Sequence, residues 1–285
     1  MKCYLCPNRC GVDRDQKDGL CHADNRMRVC RIAPHYYEEP VVSGTNGSGT
    51  VFFSGCSLDC LFCQNHEISK TKIGMVFSPE ELADELKKLT DLGVHNINFV
   101  TPTHFSHRIK ETLEIYRPPV PIVYNTSGYE LPEVIDGLTD YVDVFLTDVK
   151  YADKNLAEKY SGRKNYVEYC LAATDRMVET KPLRYGEDGL IKQGVIVRHL
   201  MLPTETQNTL DVIDLFSERW KGRALFSLMS QFFPAYKSPI RRTLKPLEYK
   251  IALNRLIEKG VTDGFIQELT SAEEKYVPVF DLISR

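Results

Sequence analysis

Six short apolar runs recur along the chain, at 50–53, 96–100, 121–124, 142–146, 194–197 and 224–228, each separated from the next by enough sequence to hold a helix. Runs of this length, rich in Val, Ile, Phe and Tyr, read as buried strands. The stretch between the first two shows how the gaps are filled. Ser78, Pro79 and Glu81 stand at the N-cap, N1 and N3 positions of a capping box, and Leu82, Leu86 and Leu89 then mark one helical face. Strands that alternate with helices order themselves into a parallel sheet covered by those helices, so the chain is expected to be an α/β protein with six parallel strands.

Composition narrows the function classes. At 285 residues, 42% hydrophobic and 26% charged, the chain is ordinary globular material for one large domain or two small ones. It has no apolar run near 18 residues, so no membrane span is expected. A net charge of -3 lacks the basic footprint of a nucleic-acid binder. Nine cysteines are an odd number for a disulfide framework, and Met1-Lys2-Cys3 opens without a signal-peptide pattern. The expected compartment is therefore the reducing cytoplasm, where clustered cysteines bind metal or do redox work.

Three of the cysteines fall directly after the first strand, in Gly55-Cys56-Ser57-Leu58-Asp59-Cys60-Leu61-Phe62-Cys63-Gln64-Asn65. The spacing is C-x3-C-x2-C, with no fourth cysteine nearby. A [4Fe-4S] cluster takes four ligands, so three thiolates leave one iron open to a small molecule. A structural zinc completed by His66 is the other reading of the same residues. The spacing, with Phe62 just before the third cysteine, resembles the signature of the radical S-adenosylmethionine (SAM) superfamily. The resemblance implies that SAM chelates the open iron, receives an electron that originates from a donor such as flavodoxin or ferredoxin, and breaks into methionine and a 5'-deoxyadenosyl radical that takes a hydrogen atom from a substrate. It also implies a partial TIM-type (β/α)6 barrel, in which chemistry gathers at the C-terminal strand ends.

The other strand ends resemble pyruvate formate-lyase activating enzyme segment by segment. Thr101 and Thr103 stand where that family carries Gly-Gly-Glu and accepts the SAM amino group. Asn125, Thr126 and Ser127 replace Asp-Thr-Asn before a shared glycine, and would reach the methionine or ribose hydroxyls. Asp148 and Lys150 match an Asp-x-Lys whose aspartate helps hold a monovalent cation near the SAM carboxylate; Asn125 removes one charge from that cation site. Arg198 is the counterpart of an arginine that pairs with the SAM carboxylate, a task suited to a planar fork of donors. Met229 and Gln231 fall in the segment that meets the adenine, while Phe62 and Asn65 belong to the cluster loop itself. His104 is expected at a polar rim or helix cap, His199 in packing, and Cys170 as a small buried hydrophobe.

A second group, Cys3, Cys6, Cys10 and Cys21, lies in the first fifty residues, with Gly11 and Gly19 permitting the turns a small metal knot needs. Thiolates suit either a second [4Fe-4S] cluster or zinc, and Cys30 could stand in for Cys21. The expected organisation is a cysteine-rich segment at 1–49, a barrel at 50–245, and a C-terminal helix and tail at 246–285 packing on it. Stretches such as Cys3-Tyr4-Leu5-Cys6-Pro7 and Val123-Tyr124-Asn125-Thr126-Ser127-Gly128-Tyr129 resemble an uncharacterised group of radical SAM proteins related to pyruvate formate-lyase activating enzyme. That implies either hydrogen abstraction from a glycyl residue of a partner enzyme or chemistry on a small molecule or peptide. A non-catalytic metal-binding or electron-relay module is the reading from another class. His35 and Glu38-Glu39 face substrate in one view and form a solvated charged turn in the other.

Overall fold

The computed structural model describes residues 2–269. Its elements follow in chain order as β1 (Arg28–His35), α1 (Pro40–Ser43), β2 (Ser48–Phe53), α2 (His66–Ser69), β3 (Met75–Val76), α3 (Pro79–Asp91), β4 (Ile97–Val100), α4 (Ser106–Ile115), β5 (Ile122–Thr126) and α5 (Pro132–Leu138), then β6 (Val144–Asp148), α6 (Lys154–Ser161), α7 (Tyr166–Thr180), β7 (Arg184–Tyr185), β8 (Ile191–Leu200), α8 (Thr206–Arg219), β9 (Leu225–Met229), α9 (Pro246–Glu258) and β10 (Gly264–Ile266). The six expected strands are β2, β4, β5, β6, β8 and β9. They pair in that order and all in parallel. The sheet runs β10-β9-β8-β6-β5-β4-β2-β1-β3 without closing on itself among the described residues, and the fold is a partial (β/α)6 barrel. The expected capping box starts α3: Glu81 N–H donates to Ser78 Oγ at 3.2 Å, and Ser78 N–H donates to Glu81 Oε2 at 2.9 Å.

Two additions lie outside the sequence expectation. Strand β10 adds a seventh parallel partner beside β9. Strand β1, within the expected cysteine-rich segment, pairs antiparallel with β2 from Val29–Phe53 to His35–Ser48. The boundary drawn at 49/50 therefore falls inside β2. Helix α9 packs on α8 and buries Ala252 and Leu256; the rest of the expected C-terminal tail, 270–285, lies outside the described residues.

Strand alternation sorts side chains to two faces. Phe53, Phe99, Tyr124, Phe145, Val197 and Phe226 join the covering helices in the main core. Their neighbours Val123, Val144, Leu146, Ile196 and Leu225 form a separate apolar layer on the concave face. Val42 of α1, fully buried, belongs to that second layer. The connection from β1 to β2 thus crosses the end of the barrel opposite the cysteine loop and plugs it. No helix of the described residues is long and apolar enough to cross a membrane.

Candidate active site at the strand ends

The cysteine loop leaves β2 at Ser54 and is held by its neighbours. Asp59 N–H donates to Ser161 O and Leu61 N–H to Tyr160 O, at 3.1 and 2.9 Å. Phe62 packs against the rings of Tyr160 and Phe232. The segment after β9 lies over the loop: Gln64 Nε2 donates to Gln231 O at 3.3 Å, and the His66 ring stacks on Tyr236 with centroids 5.0 Å apart.

All three thiols of the loop are free. Burial, with the like-charged thiols of Cys60 and Cys63 beside it, pushes Cys56 up to about 12. Burial also raises Cys60, against the pull of the Lys150 ammonium. Protein alone therefore keeps the Cys56 and Cys60 thiols protonated, whereas coordinated iron deprotonates a thiol outright. Asn65 Oδ1 is buried beside this loop without a hydrogen-bond partner. The donor set and the orphaned acceptor fit an iron–sulfur group with room for a ligand.

Below the loop, alternate residues of the strands place polar groups on the concave face. Asn98 on β4, Asn125 on β5, Asp148 on β6 and Arg198 on β8 share the inward register. Arg198 is a buried cation with two carboxylates. Its Nε and Nη2 donate to Glu39 at 2.8 and 2.6 Å, and Nη2 also donates to Glu38. Burial works against that charge, but Glu38 and Glu39 outweigh it and hold the guanidinium ionised. Glu38 Oε1 in turn accepts from Asn98 at 2.9 Å and Asn125 at 3.3 Å. The solvated-turn expectation for Glu38 and Glu39 is thus corrected, because their side chains are only 8% and 6% exposed. Lys150 Nζ is bonded to Asp148 Oδ2, an ion pair at the end of β6.

The remaining expected contacts spread in two directions. Thr103 and Thr126 both donate their hydroxyls to Glu130 Oε1 at 2.5 Å, while the Ser127 carbonyl accepts from Tyr166. These groups do not converge with Asn125, Asp148 and Arg198. Thr101 N–H donates to Asn125 O with Thr101 at φ +58°, a left-handed conformation that costs a β-branched residue roughly 1–3 kcal/mol. Met229 ends β9 half-buried, and Gln231 Oε1 accepts from Gln267. His104 is buried and bonds Ser54 O at 2.7 Å, and His199 lies between Val149 O and Thr209 Oγ1. Cys170 is fully buried on α7.

The N-terminal cysteines also gather. Cys6 and Cys21 are buried, and burial pushes both thiols up, Cys6 to about 12, with the neighbouring cysteine sulfurs adding to the rise. A Cβ placed on Gly19 would lie 3.2 Å from the Cys21 sulfur and 3.5 Å from that of Cys10. Cys30 is elsewhere: it is buried on β1 with its thiol on Ile73 O, so it does not replace Cys21. Among the described residues, no three His, Cys, Asp or Glu side chains are drawn as close together as a single metal ion holds its ligands.

Asn98, Glu130 and Arg14 were missed in the sequence. Asn98 had a signal, an amide between Ile97 and Phe99 in an otherwise apolar strand. Arg14 and Glu130 had none. Arg14 is buried and donates to His104 O and Asp24 O, both at 2.5 Å, tying the N-terminal segment to the barrel.

A parallel partial barrel carries a three-thiol loop after its first parallel strand, above a ring of inward polar groups, a donor set suited to an iron–sulfur cluster. The Radical SAM superfamily model matches residues 50–216, more than half of the chain, and the protein belongs to that superfamily. Uncharacterized protein MJ0674 of Methanocaldococcus jannaschii is 30% identical over 246 residues, covering 83% of this chain and 67% of that protein. Among solved structures, a radical SAM methyltransferase from Sphaerobacter thermophilus aligns with a TM-score of 0.53 at 14% identity, over 76% of this chain and 66% of its own. SuiB of Streptococcus suis, bound to precursor peptide SuiA, aligns at 0.54 and 10% identity, over 76% of this chain and 48% of its own. A spore photoproduct lyase aligns at 0.53 and 10% identity, over 84% and 79%. The chain thus spans roughly half to two thirds of the first two structures. Superfamily membership implies a [4Fe-4S] cluster and SAM.

Proposed function

We propose that the protein is a radical SAM enzyme whose Cys56, Cys60 and Cys63 hold the [4Fe-4S] cluster and whose strand ends hold SAM. When bound, the cluster supplies the electron that splits SAM into methionine and the 5'-deoxyadenosyl radical, which takes a hydrogen atom from the substrate. The observation that carries this reading is the arrangement of three free thiols at the C-terminal end of β2 with Asn125, Asp148 and Arg198 turned to the same concave face. Lys150 places an ammonium close enough to Cys60 and Cys56 to favour their thiolates. Among the described residues, Arg198 Nη1 has no hydrogen-bond partner, which leaves that edge for an anionic group. Phe62 and Phe232 form an apolar wall beside the loop.

The substrate is one hydrogen donor among several classes. A glycyl residue of a partner enzyme is one, in an activating-enzyme-like oxidoreductase; a small molecule or peptide is the other. Among the structural neighbours, SuiB is bound to a precursor peptide and a spore photoproduct lyase is described with a dinucleoside spore photoproduct. A non-catalytic metal module gives no reason for the chain to bury a cation and two carboxylates at the end of the barrel that carries the thiols. We propose further that Cys3, Cys6, Cys10 and Cys21 hold a second metal centre, iron–sulfur or zinc, that flavodoxin or ferredoxin is the electron donor, and that the protein works in the cytoplasm.

The test is anaerobic reconstitution and reduction, followed by measurement of 5'-deoxyadenosine and methionine. Wild type should release both without added substrate, and Cys56→Ala, Cys60→Ala and Cys63→Ala should release neither. Turnover at the wild-type level in any of the three would reject the ligand assignment.

A further inference from the structure

The Glu38–Glu39 pair does not belong to any strand end. It rides on the connection between β1 and β2, immediately before Pro40 and the α1 plug. That connection is fixed at its root: Val42 is fully buried in the concave apolar layer, and Glu39 O accepts the N–H groups of Val42 and Ser43 at 2.8 and 3.0 Å. The two carboxylates therefore reach the concave face from a rigid base. Glu39 takes the Nε–Nη2 edge of Arg198 bidentately. Glu38 takes Nη2 as well and gathers the amides of Asn98 and Asn125 on its other oxygen. One dipeptide thus joins β4, β5 and β8 across the concave face. With that edge occupied, the guanidinium cannot meet a carboxylate ligand as a two-pronged fork; among the described residues only Nη1 is left without a partner. Which way Nη1 points is set by Glu39, because a bidentate pair fixes the plane of the guanidinium.

We infer that Glu39 is the positioning residue for Arg198, aiming its single free Nη1 edge at the carboxylate of SAM, while Glu38 sets Asn98 and Asn125 in register with it. The inference rests on the reading that SAM lies at these strand ends. It adds residues from outside the strand ends to the machinery and makes the arginine contact one-pronged.

The experiment measures SAM binding and SAM cleavage by anaerobically reconstituted full-length protein, with iron content recorded for each variant. Glu39→Gln leaves the volume unchanged but removes the charge that locks the guanidinium. It should weaken SAM binding by about tenfold or more, the range of a lost charge-assisted contact, with iron per chain kept. KM for SAM should rise by more than kcat falls, a split that a general loss of folded protein does not produce. Glu38→Gln should have a smaller effect in the same direction. Removing one partner of a buried pair is more damaging than removing both, so the Glu39→Gln/Arg198→Gln double variant covers a single variant that fails to fold. It should bind SAM as Arg198→Gln does. Wild-type protein that neither binds nor cleaves SAM would reject the underlying reading. Wild type that binds, with Glu39→Gln binding equally well or the double variant binding worse than Arg198→Gln, would overturn the role of Glu39 alone.

Discussion

The backbone N–H of Cys56 donates to the carbonyl of Cys21 at 2.9 Å. The first thiol-bearing residue of the barrel loop and the last of the N-terminal four are therefore joined by one hydrogen bond. Around that bond, Asn8 Nδ2 donates to Ser57 O at 2.8 Å and His22 faces Asp59. The N-terminal segment is a buttress of the loop that is expected to hold the cluster, so disturbing one should disturb the other.

Gly55 makes the contact possible. It sits at φ +90°, and a Cβ there would lie 2.6 Å from Cys21 O and 3.1 Å from His104 Nε2. Gly55→Ala should force the loop and the N-terminal segment apart. The expected outcome is a clear loss of iron at the Cys56 loop and a stability loss of about 1–3 kcal/mol from backbone strain and the clash, measured by iron analysis and chemical unfolding. Full iron occupancy in this variant would show that the loop binds its cluster without the N-terminal support.

The metal in the N-terminal site can be read with the other site removed. A variant lacking Cys56, Cys60 and Cys63 should retain about four irons and a cluster absorption band if the four N-terminal thiolates hold a cube. It should be colourless with about one zinc per chain if they hold a zinc ion, whose thiolates lie about 2.3 Å from the metal. Losing Cys3 or Cys10 from that background should expose the first fifty residues to protease, since a small segment of this kind needs a staple. A metal-free triple variant with a protease-resistant N-terminal segment removes the second centre.

The ion pair of Asp148 and Lys150 bears on the monovalent cation that the family resemblance implies for the Asp148 position. A lysine ammonium already neutralises the carboxylate, and Asn125 supplies no second charge. SAM cleavage is therefore expected to run at the same rate in potassium, sodium or choline salts of equal ionic strength. Lys150→Met, which leaves a half-buried carboxylate without its partner, should slow turnover by about tenfold or more. A strong preference for potassium or sodium in wild type would mean that Lys150 yields its place to a metal cation.

Much of this was readable in the chain because periodic patterns report local geometry. Six of the seven parallel strands among the described residues were legible as apolar runs, and the Ser78-Pro79-Glu81 cap needed only four residues of sequence to specify it. The short strands β3, β7 and β10 were not, since two or three residues carry no period. The inward polar groups were half legible. Asp148 and Arg198 stood in motifs, but the charge that pairs with Arg198 comes from Glu38 and Glu39, 160 and 159 residues away in sequence, and no local pattern encodes a contact across that separation. Thr103 and Thr126 show the converse. They stand in strand-end motifs, yet buried Glu130 takes their hydroxyls, and burial holds that carboxyl up to about 7.

His199 offers a test of folding rather than chemistry. It is fully buried between Val149 O and Thr209 Oγ1, and burial lowers its pKa from 6.5 to about 4. The native state thus binds fewer protons than the unfolded chain between these values, so stability rises with pH across that window. The contribution is fully present above pH 6.5 and is lost as pH falls toward 4, at up to about 1.4 kcal/mol per pH unit for one group. His104, lowered by burial to about 3, acts in the same direction. His199→Gln keeps a hydrogen-bonding side chain but cannot titrate, so it should be less stable than wild type at pH 7.5 and lose less stability on acidification to pH 5. Urea unfolding of both proteins at several pH values checks this. Parallel curves for the two would show that His199 does not carry the acid sensitivity.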